Sequence, residues 1–147
     1  MSLFSGVEQA QVNGGGIYPQ VGEYDIVIKT CSTRTSQQGK GQFTLVEYVV
    51  SEVLKSFAGN DEFEASNTEG QAVGWTNWQS KQPFLSNVKA FVSAVLDKDV
   101  DSVTEADCAD VFESDPQEYA GEVLRLSVLP THTKAGKPFA KVLWSRP

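Results

Sequence analysis

The sequence is poorest in the residues from which catalytic and metal centres are built. Its 147 residues include one histidine, one methionine and two cysteines. Cys31 and Cys108 lie far apart and match no metal-ligand spacing, so they read as buried or incidental thiols in a reducing compartment. No Gly-x-Ser-x-Gly elbow, Walker loop or His-Glu-x-x-His motif occurs. The lone His132 falls in a polar turn, where a histidine is far more often a solvated side chain than a general base. Asp97, Asp99 and Asp101 imitate the opening of a calcium loop. Ser102, however, occupies the position that needs glycine, and Cys108 the position that needs a bidentate glutamate. The expectation is a protein that is no enzyme and holds neither cofactor nor metal. Long apolar runs are missing as well. Nothing approaches the ~20 residues that span a bilayer, and no basic stretch followed by an apolar one opens the chain. That predicts a soluble, cytoplasmic protein with no membrane partner.

What the sequence does have is an uneven distribution of charge around a net of −7. Segment 97–122 carries ten acids against Lys98, a net of −9, which leaves +2 for the rest. After Glu122 no acid remains, while Arg125, Lys134, Lys137, Lys141 and Arg146 are all positive. A phosphate senses charge within a Debye length of ~8 to 10 Å, so a local basic surface matters more than the sum. Exposed hairpins also carry lysines simply to stay soluble and to discourage edge pairing, and this plainer reading stands unless other residues oppose it.

The length fits one domain, large enough to bury about 68 to 70% of its unfolded surface without staples. Residues 1–22, with Gly14, Gly15 and Gly16 in a row, read as a flexible arm ahead of a single domain over 23–147. Tyr24, Ile26 and Ile28 alternate with Asp25, Val27 and Lys29 and predict a strand over 23–30. Segment 31–42 is rich in Ser, Thr and Gln and carries Arg34 and Lys40 without an acid, which predicts an exposed basic loop. A β-branched and aromatic run over 43–54 predicts a second strand, polar 55–70 a loop, and 72–78 a third strand. Phe84, Val88, Phe91, Val92 and Val95 then fall at helical spacing, predicting a helix over 83–96. Thr104 and Asp107 resemble a capping box opening a short second helix. Two apolar runs, one stopping at Pro130 and one starting at Phe139, close the chain as a hairpin whose tip contains Gly136.

The fold class is therefore mainly β with one or two helices. The order fits a five-stranded, OB-fold-like Greek-key barrel with a helical segment between strands 3 and 4. On that fold ligands meet the strand 2 to 3 face and the loops joining strands 1 to 2 and 4 to 5. The candidate contacts are Arg34 and Lys40 on the first loop, Lys134 and Lys137 on the second, and Arg125 and Lys141 on the hairpin strands. Phe43, Tyr48 and Trp78 are candidate stacking platforms, worth ~1 to 3 kcal/mol per base. A barrel core needs aromatics too, and alternation lets at most about half of them face outward. Trp75 and Trp78 differ by three positions and point to opposite faces; Trp78, beside Asn77, Gln79, Ser80 and Lys81, is the one expected outside.

Several stretches carry a further likeness: Gly22-Glu23-Tyr24-Asp25-Ile26-Val27-Ile28, the 43–50 run, Gly74-Trp75-Thr76-Asn77, Asn87-Val88-Lys89-Ala90-Phe91 and Lys134-Ala135-Gly136-Lys137-Pro138-Phe139. Over roughly 22–144 the layout resembles small phage-type single-stranded-DNA-binding proteins with an OB-fold. The resemblance implies sequence-nonspecific binding of single-stranded DNA in replication or recombination, in the host-cell cytoplasm. Such proteins often end in an acidic tail that recruits replication partners, whereas this chain ends Trp144-Ser145-Arg146-Pro147. Replication or recombination proteins would then have to meet the 97–122 acids. Two other readings compete. A virion-structural or protein-interaction β-domain would use the hairpin against a neighbouring subunit and bind no nucleic acid. A carbohydrate-binding domain would use the tryptophans and be indifferent to salt. The sequence leaves open the oligomeric state, including a homo-oligomer, and the choice between DNA and RNA.

Overall fold

The structure, a computed structural model, describes residues 17–147 apart from 40, 82 and 116. The triple glycine of the expected arm and Lys40 lie outside the described residues. The elements are β1 (Gly22–Thr35), β2 (Gln42–Lys55), β3 (Ala72–Trp78), α1 (Phe84–Leu96), a 3-10 turn (Val100–Ser102), α2 (Glu105–Phe112), β4 (Val123–His132) and β5 (Pro138–Ser145). All five strands are antiparallel and form one sheet in the order β3-β2-β1-β4-β5. Two helices lie between β3 and β4, as the sequence predicts.

Alternation decides which face each strand buries. Tyr24, Ile26 and Ile28 of β1, Val46, Tyr48 and Val50 of β2, Val73 and Trp75 of β3, and Leu124, Leu126 and Val128 of β4 all point into the core. In β1 a register shift between Ile28 and Thr30 inserts an extra residue, and Cys31 therefore turns inward again. β1 runs further than the expected 23–30. Its Ser and Thr residues pair with the start of β2, Thr33 opposite Thr44 and Arg34 opposite Phe43, and the Cys31 N–H donates to Gln117 Oε1 at 2.7 Å. The basic loop expected over 31–42 shrinks to a turn at 36–41. β4 likewise continues through Pro130, which lies past Val128, the last residue paired with β1; there β4 pairs with β5 alone and a missing donor is tolerated.

The sheet curls without closing. β3 and β5 are its two edges, yet Trp75 and Trp144 meet across the interior with ring centroids 5.3 Å apart. Phe91 of α1 lies 5.8 Å from Trp75, 5.0 Å from Trp144 and 5.8 Å from Phe112 of α2, so the helices plug the open side through one aromatic cluster. Arg146 fixes the far end of α1. Its Nε donates to the Ala94 carbonyl at 2.8 Å, its Nη2 to the Val95 carbonyl, and its Nη1 pairs with Glu122 at 3.3 Å. The capping box of α2 is present, Thr104 accepting from Asp107 N–H and Asp107 from Thr104 N–H, and Lys98 adds an ion pair to Asp107 at 2.7 Å. Asp99 accepts the Asp101 N–H at 2.9 Å, so the acids that imitate a calcium loop shape the turn between the helices.

A polar knot joins the start of β1 to the loop between β2 and β3. The buried Tyr24 hydroxyl donates to the Gln20 carbonyl at 2.7 Å and accepts the Asn67 N–H at 3.0 Å, while Ser66 Oγ donates to the Val21 carbonyl at 2.6 Å. Gly22 makes the crossing possible: its φ is +150°, and a Cβ there would sit 2.7 Å from Tyr24 Oη and 2.9 Å from the Lys55 carbonyl oxygen. Ahead of the knot, the Ile17 carbonyl accepts the Gly74 N–H at 2.9 Å on the β3 edge. No helix among the described residues is long and apolar enough to cross a membrane.

Candidate nucleic-acid interface

The outward positions of the sheet form the candidate face. Register places Arg34 opposite Phe43 and Phe43 opposite Trp78, so one cross-strand row carries a guanidinium and two aromatic rings. The Phe43 and Trp78 centroids are 4.6 Å apart with planes tilted by 42°. Both rings are half-buried, each covering one side of the other and leaving apolar surface to solvent. The next row, Ser32, Leu45 and Thr76, continues the surface with uncharged side chains. Lys81 is exposed in the turn after β3, where its N–H donates to the Trp78 carbonyl at 3.0 Å.

The second group of candidates lies elsewhere. The tip of the β4–β5 hairpin is closed by Thr133 N–H to the Lys137 carbonyl at 2.9 Å and by Gly136 N–H to the Thr133 carbonyl at 2.8 Å, with Gly136 at φ +83°. Lys134 and Lys137 are exposed on this tip and Lys141 is exposed on β5 opposite Leu129. The tip leans on the loop between β2 and β3, where His132 Nε2 and Glu62 Oε2 are 3.0 Å apart and Phe63 meets the His132 ring edge-on. Because β1 is antiparallel to both β2 and β4, the β1–β2 turn and the hairpin tip project from opposite ends of β1. The 14 residues of β1 separate them, on the order of 40 Å. The structure therefore does not gather the two basic loops at one place.

Two sequence candidates change role. Tyr48 is 1% exposed, its ring edge-on to Trp144 at 5.7 Å, and burial pushes its hydroxyl well above the usual tyrosine range. It is a core residue and offers no stacking surface, because the parity that turns Phe43 outward carries Thr44, Val46 and Tyr48 inward. Arg125 pairs with Asp25 directly across the β1–β4 ladder, Nε to Oδ1 at 3.0 Å and Nη2 to Oδ2 at 3.5 Å. This hydrogen-bonded carboxylate holds Arg125 more firmly protonated and makes it a cross-strand pin.

The outward face also carries an acid that no local pattern in the sequence marks. Glu47 follows Phe43 by four positions on β2 and shares its outward face, as strand parity requires; it accepts from Thr30 Oγ1 at 2.8 Å and lies 3.6 Å from Arg34 Nη2. No family model matches this chain, and a search of curated proteins finds no match to it.

Proposed function

We propose that this chain is a non-catalytic, OB-type domain that binds single-stranded DNA without sequence preference, as a replication or recombination accessory like the phage-type proteins it resembles. The observation that carries the reading is the Arg34–Phe43–Trp78 row: a partly open aromatic pair on a sheet face, with cations beside it. Every base has a π-face, so such a platform is indifferent to sequence, and the guanidinium and Lys81 supply counter-charges for the backbone. Lys134, Lys137 and Lys141 at the other end meet phosphates of a strand that runs the length of β1. The exposed acids Asp99, Asp101, Glu105, Glu113 and Glu118 are left for basic surfaces of accessory proteins.

Filter binding of a single-stranded oligonucleotide, with a duplex control at low and moderate salt, tests the reading. Trp78→Ala is expected to weaken binding by about 10- to 100-fold, the worth of one stacked base. Reversing Arg34, Lys134 and Lys137 to Glu is expected to flatten the salt dependence, by about 0.7 in log-log slope per phosphate lost. Absence of binding by the wild type at low salt would overturn the proposal.

One observation favours a second reading. Val123, Leu129, Phe139 and Leu143 are 42 to 49% exposed on β4 and the edge strand β5, which is the kind of surface a protein-interaction or virion-structural domain covers with a neighbour. That reading predicts a stable assembly in sedimentation and no retention of oligonucleotide.

A further inference from the structure

Arg34 shares a row with the two outer aromatics, yet its guanidinium reaches back along the sheet. Its Nε donates to Ser32 Oγ at 3.3 Å and its Nη2 lies 3.6 Å from Glu47 Oε1. Glu47 is held in turn by the Thr30 hydroxyl at 2.8 Å, and its β3 neighbour is Gly74, which has no side chain to cover it. We propose that Glu47 regulates the single-strand site as an internal competitor: it keeps Arg34 in the empty protein and yields it to a backbone phosphate when a base stacks on Trp78. The proposal rests on the single-strand reading of this face and adds to it the residue that sets how firmly the strand is held.

The two arginine pairs of the sheet show why Arg34 can be handed over and Arg125 cannot. The Arg125–Asp25 pair makes two contacts, the shorter 3.0 Å, with side chains 35% and 17% exposed. The Arg34–Glu47 pair makes one long contact between side chains 53% and 48% exposed. A pair so open to water adds little and is easily exchanged, whereas a phosphate offers the guanidinium fork a charged, geometrically matched acceptor. Every strand that binds must first take Arg34 from its 3.6 Å pairing with Glu47, and the carboxylate competes with the phosphate for the guanidinium throughout. It therefore trims affinity and favours release, which suits a protein that coats a strand and must come off again.

A double-mutant cycle tests this: wild type, Glu47→Gln, Arg34→Ala and the double variant, each titrated with the same single-stranded oligonucleotide at moderate salt. Glu47→Gln is expected to tighten binding by about two- to five-fold, the range an exposed ion pair can account for, with an unchanged melting temperature. In the Arg34→Ala background the same change is expected to give at most a small part of that gain. Wild type that binds nothing would remove the single-strand reading and this proposal with it. Wild type that binds, with Glu47→Gln equal or weaker, would overturn the competitor role alone. A full gain that persists without Arg34 would also overturn it, by showing that Glu47 acts on the strand directly.

Discussion

Two tyrosines, equally buried, show how differently a hydroxyl can be used. Tyr24 and Tyr48 are 0% and 1% exposed. The Tyr24 hydroxyl ties the Gln20 carbonyl to the Asn67 N–H, whereas that of Tyr48 has no hydrogen-bond partner among the described residues. Removing the first strands a buried N–H and is expected to cost about 1 to 3 kcal/mol; removing the second takes away a polar atom that gained nothing from folding. Thermal unfolding of Tyr24→Phe and Tyr48→Phe should show a clear loss in one and an equal or higher melting temperature in the other. Equal losses would contradict this account. Neither role is visible in the sequence, where both are aromatic residues at inward parity. What separates them is the loop between β2 and β3, whose Asn67 folds back from 43 residues away.

Among the elements, α1 has little support from its own side chains. No side chain caps its N-terminus, no acid lies in its first turn and no basic residue in its last. Its C-terminus is closed by the backbone, with Asp97 at φ 53° and the Lys98 N–H on the Ser93 carbonyl, and Arg146 from the end of the chain adds charged donors to the Ala94 and Val95 carbonyls. Arg146→Ala is expected to destabilise the fold by about 1.5 to 3 kcal/mol, the worth of hydrogen bonds from a charged donor. Hydrogen exchange should show the last turn of α1 opening before the rest. A uniform loss across the sheet would point to another cause. Existence and order of the elements were readable throughout, because period-two runs such as Tyr24 to Ile28 and helical spacing from Val88 to Val95 are local patterns. The capping box at Thr104 was local too. The end of β1 was not, because its Ser and Thr residues are strand only by virtue of β2 beside them, and the Arg146 clamp joins residues 51 and 52 apart. The site was half legible for the same reason. Parity gives Phe43 and Trp78, while the partners that hold Arg34 and Arg125 come from neighbouring strands.

At the scale of the molecule, charge and burial make separate demands. The acidic connector runs beside the middle of β1, where Ile28 exchanges backbone hydrogen bonds with Gly121 and Glu122, while the lysine-bearing tip projects past the start of that strand. Anionic partners are therefore drawn toward the tip and turned away from the helices. Weak acids that the fold holds protonated are expected to shape the alkaline limit. Burial pushes the Cys31 thiol from 9.0 up to about 12, and the hydrogen bond that Tyr119 donates to Asp110 at 2.6 Å raises its phenol to about 12. Burial raises Tyr24 as well. Each of these groups loses its proton more readily from the unfolded chain. The stability they confer is complete below the unfolded values, near 9.0 for the thiol and 10.0 for the phenols, and drains away as pH climbs toward about 12. The melting temperature should begin to fall above pH about 9 in the wild type and only above about 10 in a variant with both Cys31→Ala and Cys108→Ala, because burial raises the Cys108 thiol as well. A fall with the same onset in both would assign the loss to other groups.

The placement of the three tryptophans gives this protein a built-in optical label. Trp75 and Trp144 share the interior cluster with Phe91, and Trp78 alone lies on the outer face. Intrinsic emission thus divides into an inner share that reports packing and an outer share that reports the environment of the sheet face, and with it the proposed site. A soluble quencher should reach the outer share first, and a stacked base should darken it while the inner share keeps its intensity until the protein unfolds.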